Sequence, residues 1–191
     1  MRLFRKHALA LSALILCSAP FSEAADTCKQ EPKLVSDEHK KTSLLLPDTV
    51  HELIRAKFPG FRVPDQSDMK DLWASETEPG SLAYFDQGDF NGDGRNDFAL
   101  LLTKDKEYWL VIFHRQQDCT YTIGYKTGGY ADVPLQSVFL RTIPKGNEEK
   151  VAENKSLRFD TDALEWTSVG RSVALVYWKN GKYETYDFGG E

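Results

Sequence analysis

Oxygen-bearing side chains crowd one short stretch of the sequence, Asp89-Phe90-Asn91-Gly92-Asp93-Gly94-Arg95-Asn96-Asp97. Counted from its first residue, Asp89, Asn91, Asp93 and Asp97 occupy positions one, three, five and nine, and the carbonyl of position seven adds another oxygen. A tight curl of the backbone brings such oxygens to one point, and Ca²⁺ prefers an all-oxygen shell. Glycine at position six permits the positive φ angle that the curl requires. The stretch therefore predicts a calcium site with the ligands Asp89, Asn91, Asp93, Asp97 and the carbonyl of Arg95.

Position twelve separates this loop from an EF-hand. An EF-hand has a bidentate glutamate there and continues as a helix, whereas this chain has Leu100 within a strand-like apolar run. Asp97 is therefore expected to close the shell. Asp86, just ahead of the loop, is a further acid, which could be an extra ligand, could support the ligands from behind, or could bond only to the backbone of its own turn.

Two sequence words resemble the calcium loop of FG-GAP and integrin-type β-propeller repeats: Gly88-Asp89-Phe90-Asn91-Gly92-Asp93-Gly94 and Asp97-Phe98-Ala99-Leu100. The resemblance implies four side-chain ligands and one carbonyl ligand, which are Asp89, Asn91, Asp93, Asp97 and Arg95. It covers about twenty residues. A propeller needs at least four blades, and the sequence has one such loop, so the resemblance implies a strand-loop-strand unit and not a whole propeller. The order of a short helix that begins at Pro47, this loop and a terminal Tyr-Trp-x-Asn-Gly-Lys hairpin also resembles small secreted bacterial proteins of the FG-GAP or VCBS-like type.

The first 24 residues have the features of a signal peptide: a basic start, an apolar run from Ala8 to Cys17, and small residues at a cleavage site near Ala24. The run is too short to span a membrane, and no later run approaches the required length. The mature protein is therefore expected to be periplasmic or secreted. A lipoprotein anchored through Cys17 is the alternative, although Leu16 stands where that processing needs a small residue.

Charge and length restrict the class of protein. Removal of residues 1–24 takes away three basic and one acidic side chain, which changes the net charge from −5 to −7. An acidic chain without clustered lysine or arginine argues against nucleic acid or an anionic membrane as partner. The remaining length suits one domain. We expect a signal peptide (1–24), a polar N-terminal segment (25–45) and a β-rich calcium-binding domain (46–191).

Two cysteines remain after cleavage, Cys28 and Cys119. An exported protein with two cysteines commonly pairs them, and neither has a metal-ligand or redox spacing. Two independent thiols are the alternative. A disulfide between them would hold the polar segment from Asp26 to Ser43 against the domain, because that segment has no apolar period and is predicted to be an unstructured tail.

One helix and about seven or eight strands are predicted. Apolar residues at helical spacing, with a proline at the start and Pro59-Gly60 at the end, predict an amphipathic helix from Pro47 to Phe58. Two apolar runs, Phe98–Thr103 and Glu107–Phe113, predict a central hairpin that is covered on both faces. The fold class is therefore mainly β: a single antiparallel β-rich domain with one short helix packed on the sheet.

Three further segments have local signals. A strand from Ser81 to Gln87 is expected to lead into the loop. A strand from Cys119 to Tyr125 is expected to end in a flexible turn formed by the glycines at positions 124, 128 and 129. The dipeptide Asn180-Gly181 predicts a type I′ hairpin in which Lys179 lies opposite Lys182, so that Trp178 faces Tyr183 and Leu175 faces Tyr186.

No catalytic motif is found, whether Gly-x-Ser-x-Gly, His-Glu-x-x-His or a cysteine–histidine pair. A calcium ion with a filled protein shell also has no open position for substrate. The sequence favours a non-enzymatic, exported calcium-binding β-domain that binds a protein or glycan partner, with Ca²⁺ in a structural role. A hydrolase of the cell envelope and a purely structural envelope protein are the alternatives. An open cleft with two acids would favour the hydrolase, and an exposed aromatic patch the binding protein.

Overall fold

A computed structural model describes residues 31–38, 42–65, 67–69 and 81–188. The predicted signal peptide, its cleavage site and Cys28 lie outside these residues. The described residues are mainly β, with several antiparallel sheets and one α-helix, which confirms the predicted fold class. The elements are β1 (Lys33–Ser36), β2 (Thr42–Leu45), α1 (Asp48–Lys57), β3 (Phe85–Gly88), β4 (Asp97–Lys104), β5 (Glu107–Arg115), β6 (Tyr121–Tyr130), β7 (Val138–Ile143), β8 (Glu148–Ala152), β9 (Lys155–Arg158), β10 (Ala163–Ser168), β11 (Ser172–Lys179) and β12 (Lys182–Phe188), with a short 3-10 helix (Leu135–Ser137) before β7.

Two four-stranded antiparallel sheets make up most of the molecule. Sheet I has the strand order β3-β4-β5-β6, and sheet II has the order β12-β11-β10-β7. The remaining strands form two separate hairpins, β1–β2 and β8–β9. The described part of the chain thus contains twelve strands, more than the seven or eight predicted. The excess comes largely from the short strands of these two hairpins, which pair only with each other.

The central hairpin is confirmed as the core of sheet I. Strand β4 pairs with β5 around a turn at Asp105-Lys106, and every β4 residue from Asp97 to Thr103 is buried. Helix α1 covers one face, where the Phe58 ring lies 6.0 Å from the Trp109 ring. Side chains of sheet II cover the other face. A strand buried on both faces favours apolar side chains at successive positions, which is why the middle of β4, from Phe98 to Leu102, is a continuous apolar run.

The C-terminal hairpin has the predicted register. Lys179 pairs with Lys182, Trp178 with Tyr183 and Leu175 with Tyr186. Asn180 and Gly181 both have positive φ angles, 52° and 80°, as a type I′ turn requires.

The predicted glycine-rich turn after Tyr125 is wrong, because β6 continues to Tyr130. A Cβ atom on Gly128 would lie 2.3 Å from Cγ of Trp109, and one on Gly124 would lie 2.2 Å from Nε2 of His114. These two glycines leave room for ring side chains of the neighbouring strand, so their role is packing within a sheet.

The predicted N-terminal tail is also partly structured. Residues Lys33–Ser36 pair with Thr42–Leu45 as the hairpin β1–β2. Leu34, Val35 and Leu45 are exposed on it. The segment from Asp26 to Ser43 was predicted to be an unstructured tail because it lacks a regular apolar period, and a two-stranded hairpin with an exposed face needs none.

Backbone and side-chain contacts join the two sheets along the edges of β3 and β7. The amide of Leu140 donates to the carbonyl of Ala83 at 2.9 Å. The amide of Thr142 donates to Oδ2 of Asp86 at 2.6 Å, and its hydroxyl donates to the carbonyl of Gln87 at 3.0 Å. Asp86 therefore holds β7 and does not face the loop. In the described part of the chain, no helix has the length and hydropathy needed to cross a membrane.

Candidate metal centre

The acidic loop connects β3 to β4. Its curled backbone is held by hydrogen bonds from the backbone amides of the loop to the oxygens of its own side chains. Asp89 accepts hydrogen bonds from the amides of Asp93 and Gly94, at 3.0 and 2.9 Å. Asn91 Oδ1 accepts from the amide of Asp93 at 3.0 Å, and Asp93 Oδ1 accepts from the amide of Arg95 at 2.9 Å. The first three predicted side-chain ligands thus hold the curl that the spacing predicted.

Two glycines make the curl possible. Gly92 and Gly94 have φ angles of 75° and 80°, a region in which residues with a Cβ atom are strained. Gly92 has a second constraint, because a Cβ atom there would lie 2.6 Å from Cγ2 of Thr161. The predicted positive φ at Gly94 is confirmed. A side chain at Gly92 would clash with Thr161, which belongs to a turn far away in the sequence.

That distant turn, Thr161-Asp162 between β9 and β10, clamps the start of the loop. Asp162 Oδ2 accepts a hydrogen bond from the amide of Asp89 at 2.8 Å, and the Asp162 amide donates to the Asp89 carbonyl at 3.2 Å. The Thr161 hydroxyl donates to the carbonyl of Phe90 at 3.3 Å. The Phe90 side chain is buried in the core. The sequence offers no local signal for this clamp, since 73 positions separate Asp162 from Asp89.

Asp97 is the fully buried member of the predicted ligand set. Its Oδ1 accepts a hydrogen bond from the amide of Arg115 at 2.9 Å, while its Oδ2 has no hydrogen-bond partner. The pKa of its carboxyl is raised to about 7, chiefly by burial and also by the nearby carboxylates of Asp93 and Asp89, whereas the backbone amides of Arg115 and Asn91 oppose the rise. A buried carboxylate oxygen without a partner is costly unless a cation satisfies it.

We expect Asp97→Asn to stabilise the calcium-free protein at neutral pH. The substitution removes a buried charge that faces two other carboxylates, and it retains an oxygen for the Arg115 amide. The free energy of unfolding should rise by about 1–3 kcal/mol. Urea denaturation with chelator present measures it, with Asp93→Asn on the exposed side of the loop as the matched control. A lower stability of Asp97→Asn than of wild type would show that the carboxylate has a partner.

The guanidinium of Arg95 lies across the loop. It forms an ion pair with Asp93, and its Nε donates to the carbonyl of Arg115 at 2.9 Å. From the sequence, we predicted a role only for the backbone carbonyl of Arg95. The contacts of its side chain were not predicted. The positive charge offsets part of the repulsion among the loop acids.

The donor set fits a calcium ion in chemical type, because it consists of carboxylate, amide and carbonyl oxygens, with the buried Asp97 Oδ2 unpaired. The side chains are not gathered into a finished cage. Within the described residues, no three His, Cys, Asp or Glu side chains lie close enough together to hold a metal ion. The loop is thus curled and anchored, with Asp93 turned to Arg95.

A separate cavity of about 370 Å³ contains a pair of acids, Asp68 and Asp105, among its lining residues. Both oxygens of Asp68 accept hydrogen bonds from the guanidinium of Arg62 at 2.7 Å. This contact holds the pKa of Asp68 below its ordinary value. Asp68 is therefore an ionised partner of Arg62, which does not suit the role of a general acid.

The predicted disulfide cannot be followed to Cys28, which lies outside the described residues. Glu31 forms an ion pair of 2.8 Å with Arg115, a buried residue near Cys119 in the sequence. Glu31 therefore lies close to the end of β5. The pairing of Cys28 with Cys119 stays a prediction.

No protein-family model matches the chain, and neither a curated protein nor a solved structure matches it.

Proposed function

We propose that this protein is an exported, non-enzymatic β-domain in which one calcium ion stabilises the junction of β3 and β4, and which binds a protein or glycan partner. The unpaired, fully buried oxygen of Asp97 carries the proposal. A protein gains nothing from a buried unpaired charge in itself, and a bound cation converts this cost into a contribution to stability.

The side chains of Asp89, Asn91, Asp93 and Asp97 would hold the ion, together with the carbonyl of Arg95. Calcium would supply a divalent charge that offsets the repulsion among three carboxylates in one tight turn. The Thr161-Asp162 clamp and the Arg115 amide already hold the two ends of the loop. This anchoring reduces the ordering cost of binding.

The Arg95 guanidinium forms an ion pair with Asp93. Binding of calcium requires Asp93 to leave this ion pair, which lowers the affinity for the metal. The arrangement suits an extracellular module, in which calcium is abundant and the affinity is modest.

Two observations favour a binding protein over the hydrolase alternative. A calcium ion surrounded by protein oxygens is structural, because it offers no position for substrate. The acid pair of the 370 Å³ cavity includes Asp68, which Arg62 holds in its ionised form.

Thermal melting of the mature protein with calcium, with magnesium and with chelator tests the proposal. A dissociation constant on the order of 0.1 mM and about 2 mM free calcium would stabilise the fold by about 1.8 kcal/mol. The melting temperature should therefore rise by a few degrees in calcium. Magnesium should give a smaller rise, because it requires stricter octahedral geometry and keeps its waters.

Three variants sharpen the test. Asp93→Ala should abolish the calcium-dependent rise. Asp132→Ala removes an exposed acid away from the loop and should keep the rise. Arg95→Ala should melt lower than wild type in chelator and show at least as large a rise, because it keeps the carbonyl and frees Asp93. Equal melting of the wild type in all three solutions would refute a stabilising ion.

A further inference from the structure

A second cavity, of about 260 Å³, lies between the two sheets at the opposite end of β5 from the acidic loop. Tyr108 of β5 and Tyr130 of β6 line it from sheet I. The lining residues from sheet II include Trp166, Ser168, Ala174 and Asp187. The volume is close to what one small ring-shaped ligand needs, and it is below the range of most drug-sized pockets.

The register of sheet II explains why the space is open. Trp166 on β10 pairs with Ala174 on β11, which pairs with Asp187 on β12. Directly paired residues point to the same face of a sheet, so these three side chains form a row across it. The methyl group of Ala174 is the smallest of the row. The gap above it, between the indole and the carboxylate, belongs to the cavity.

Three aromatic rings meet at this cavity. The Tyr130 and Trp166 rings lie 4.9 Å apart at 60°, and the Tyr108 ring stands nearly perpendicular to the Trp166 ring, at 6.4 Å and 87°. Tyr108 is almost fully buried, whereas Tyr130 and Trp166 are half-buried. Because the three rings are inclined to one another, a ligand in the cavity can contact the face of one ring and the edges of the others.

Two lining residues have buried polar atoms without a hydrogen-bond partner, Nε1 of Trp166 and Oγ of Ser168. A buried polar group of this kind destabilises the fold unless it finds a partner. Both residues line the cavity, so a change of side-chain rotamer would turn these polar atoms toward a ligand. Asp187 adds an exposed carboxylate, which only accepts hydrogen bonds.

We propose that this cavity binds one neutral sugar ring, free or at the end of a glycan. The indole N–H needs an acceptor, the Asp187 carboxylate needs a donor, and a sugar hydroxyl supplies both. The C–H faces of a sugar ring also pack on aromatic rings, which bury apolar area at little entropic cost. The inference rests on the proposed function, since it selects a glycan over a protein as the partner.

Other small ligands fit these groups less well. A quaternary ammonium group would use the aromatic rings and Asp187, yet it cannot accept from the indole N–H of Trp166. An anionic ligand would accept from the indole and from Ser168, yet it would face the charge of Asp187.

Ligand-observed saturation-transfer NMR on the calcium-saturated mature protein tests the proposal with free glucose, galactose, mannose, N-acetylglucosamine and choline as probes. At least one sugar should bind, with a dissociation constant on the order of 1 mM, as expected for a ligand with few atoms. A disaccharide that ends in the same ring distinguishes the two sources. Equal or tighter binding indicates a glycan terminus, and weaker binding indicates the free sugar.

Two variants and a control locate the site. Ala174→Leu should fill the gap and weaken sugar binding by at least about tenfold. Trp166→Phe keeps a ring but loses the N–H, and should weaken binding about fivefold. Val173→Leu, the adjacent residue on the opposite face of β11, should leave it unchanged.

Binding of choline without any sugar, sugar binding that survives Ala174→Leu, or no binding by any probe would each overturn the proposal. Calcium-dependent melting is measured separately on the same protein. A protein that responds to calcium and binds no sugar would refute only the sugar site. A protein that binds sugar and does not respond to calcium would refute only the metal site.

Discussion

Phe98→Ala is expected to lower the free energy of unfolding by about 4 kcal/mol, because large-to-small changes at buried aromatic positions remove apolar contact and leave a cavity. Phe98 is completely buried. Its ring stacks on Phe113 at 4.8 Å and contacts Tyr121 at 5.2 Å and Phe85 at 6.0 Å. Rings from β3, β5 and β6 thus close around one side chain of β4. Urea denaturation of the mature protein in calcium measures the loss.

Phe98→Leu and Phe61→Ala are the matched controls. The leucine variant fills much of the same space and should cost about 1–2 kcal/mol. Phe61 is half-buried beside Phe58 at the edge of the core, so its replacement by alanine should also cost about 1–2 kcal/mol. If Phe98→Ala were no more destabilising than Phe61→Ala, β4 would not be the centre of the core.

Asp162→Ala is expected to cost about 3 kcal/mol and to weaken calcium binding as well. The Asp162 carboxylate accepts hydrogen bonds from the amides of Asp89 and Lys145, each at 2.8 Å. Loss of both acceptors leaves the two amides unpaired, and hydrogen bonds to a charged group contribute about 1.5–3 kcal/mol each. Solvent near Lys145 compensates part of the loss there. Chemical denaturation gives the stability, and calcium titration gives the affinity.

Asp162→Asn should fall between wild type and Asp162→Ala, because the amide side chain keeps one acceptor oxygen. The neighbouring Asp160 is exposed, and Asp160→Ala should change stability by less than about 0.5 kcal/mol. Unchanged calcium affinity in Asp162→Ala would mean that the loop holds its curl without the clamp.

The features that could be predicted from the sequence are those set by residues close together in the chain. The curl of the loop depends on residues two to five positions apart, such as Asp89 with Gly94, and a sequence pattern displays such spacings directly. The C-terminal hairpin is similar, since Asn180-Gly181 sets the turn and the turn sets the register. The helix was predictable because its apolar period and its proline start are both local.

Long-range packing explains the errors and the omissions. The glycines of β6 resemble a turn in sequence, and only the rings of Trp109 and His114 on the adjacent strand give them a place inside a sheet. The clamp at Asp162 joins segments that are far apart in the chain. The ion pair of Arg95 with Asp93 depends on where the end of β5 lies, because the Arg115 carbonyl orients the guanidinium.

The contact between β3 and β7 also has a consequence for self-association. Each of these strands is the last in its sheet, and an uncovered last strand offers free amides and carbonyls to strands of other molecules. The bonds of β7 to Ala83, Asp86 and Gln87 occupy groups along this border. The acidic loop follows β3 directly. Loosening of the loop would therefore expose the edge of β3 and the edge of β7 together. The proposed calcium ion would then oppose self-association as well as unfolding.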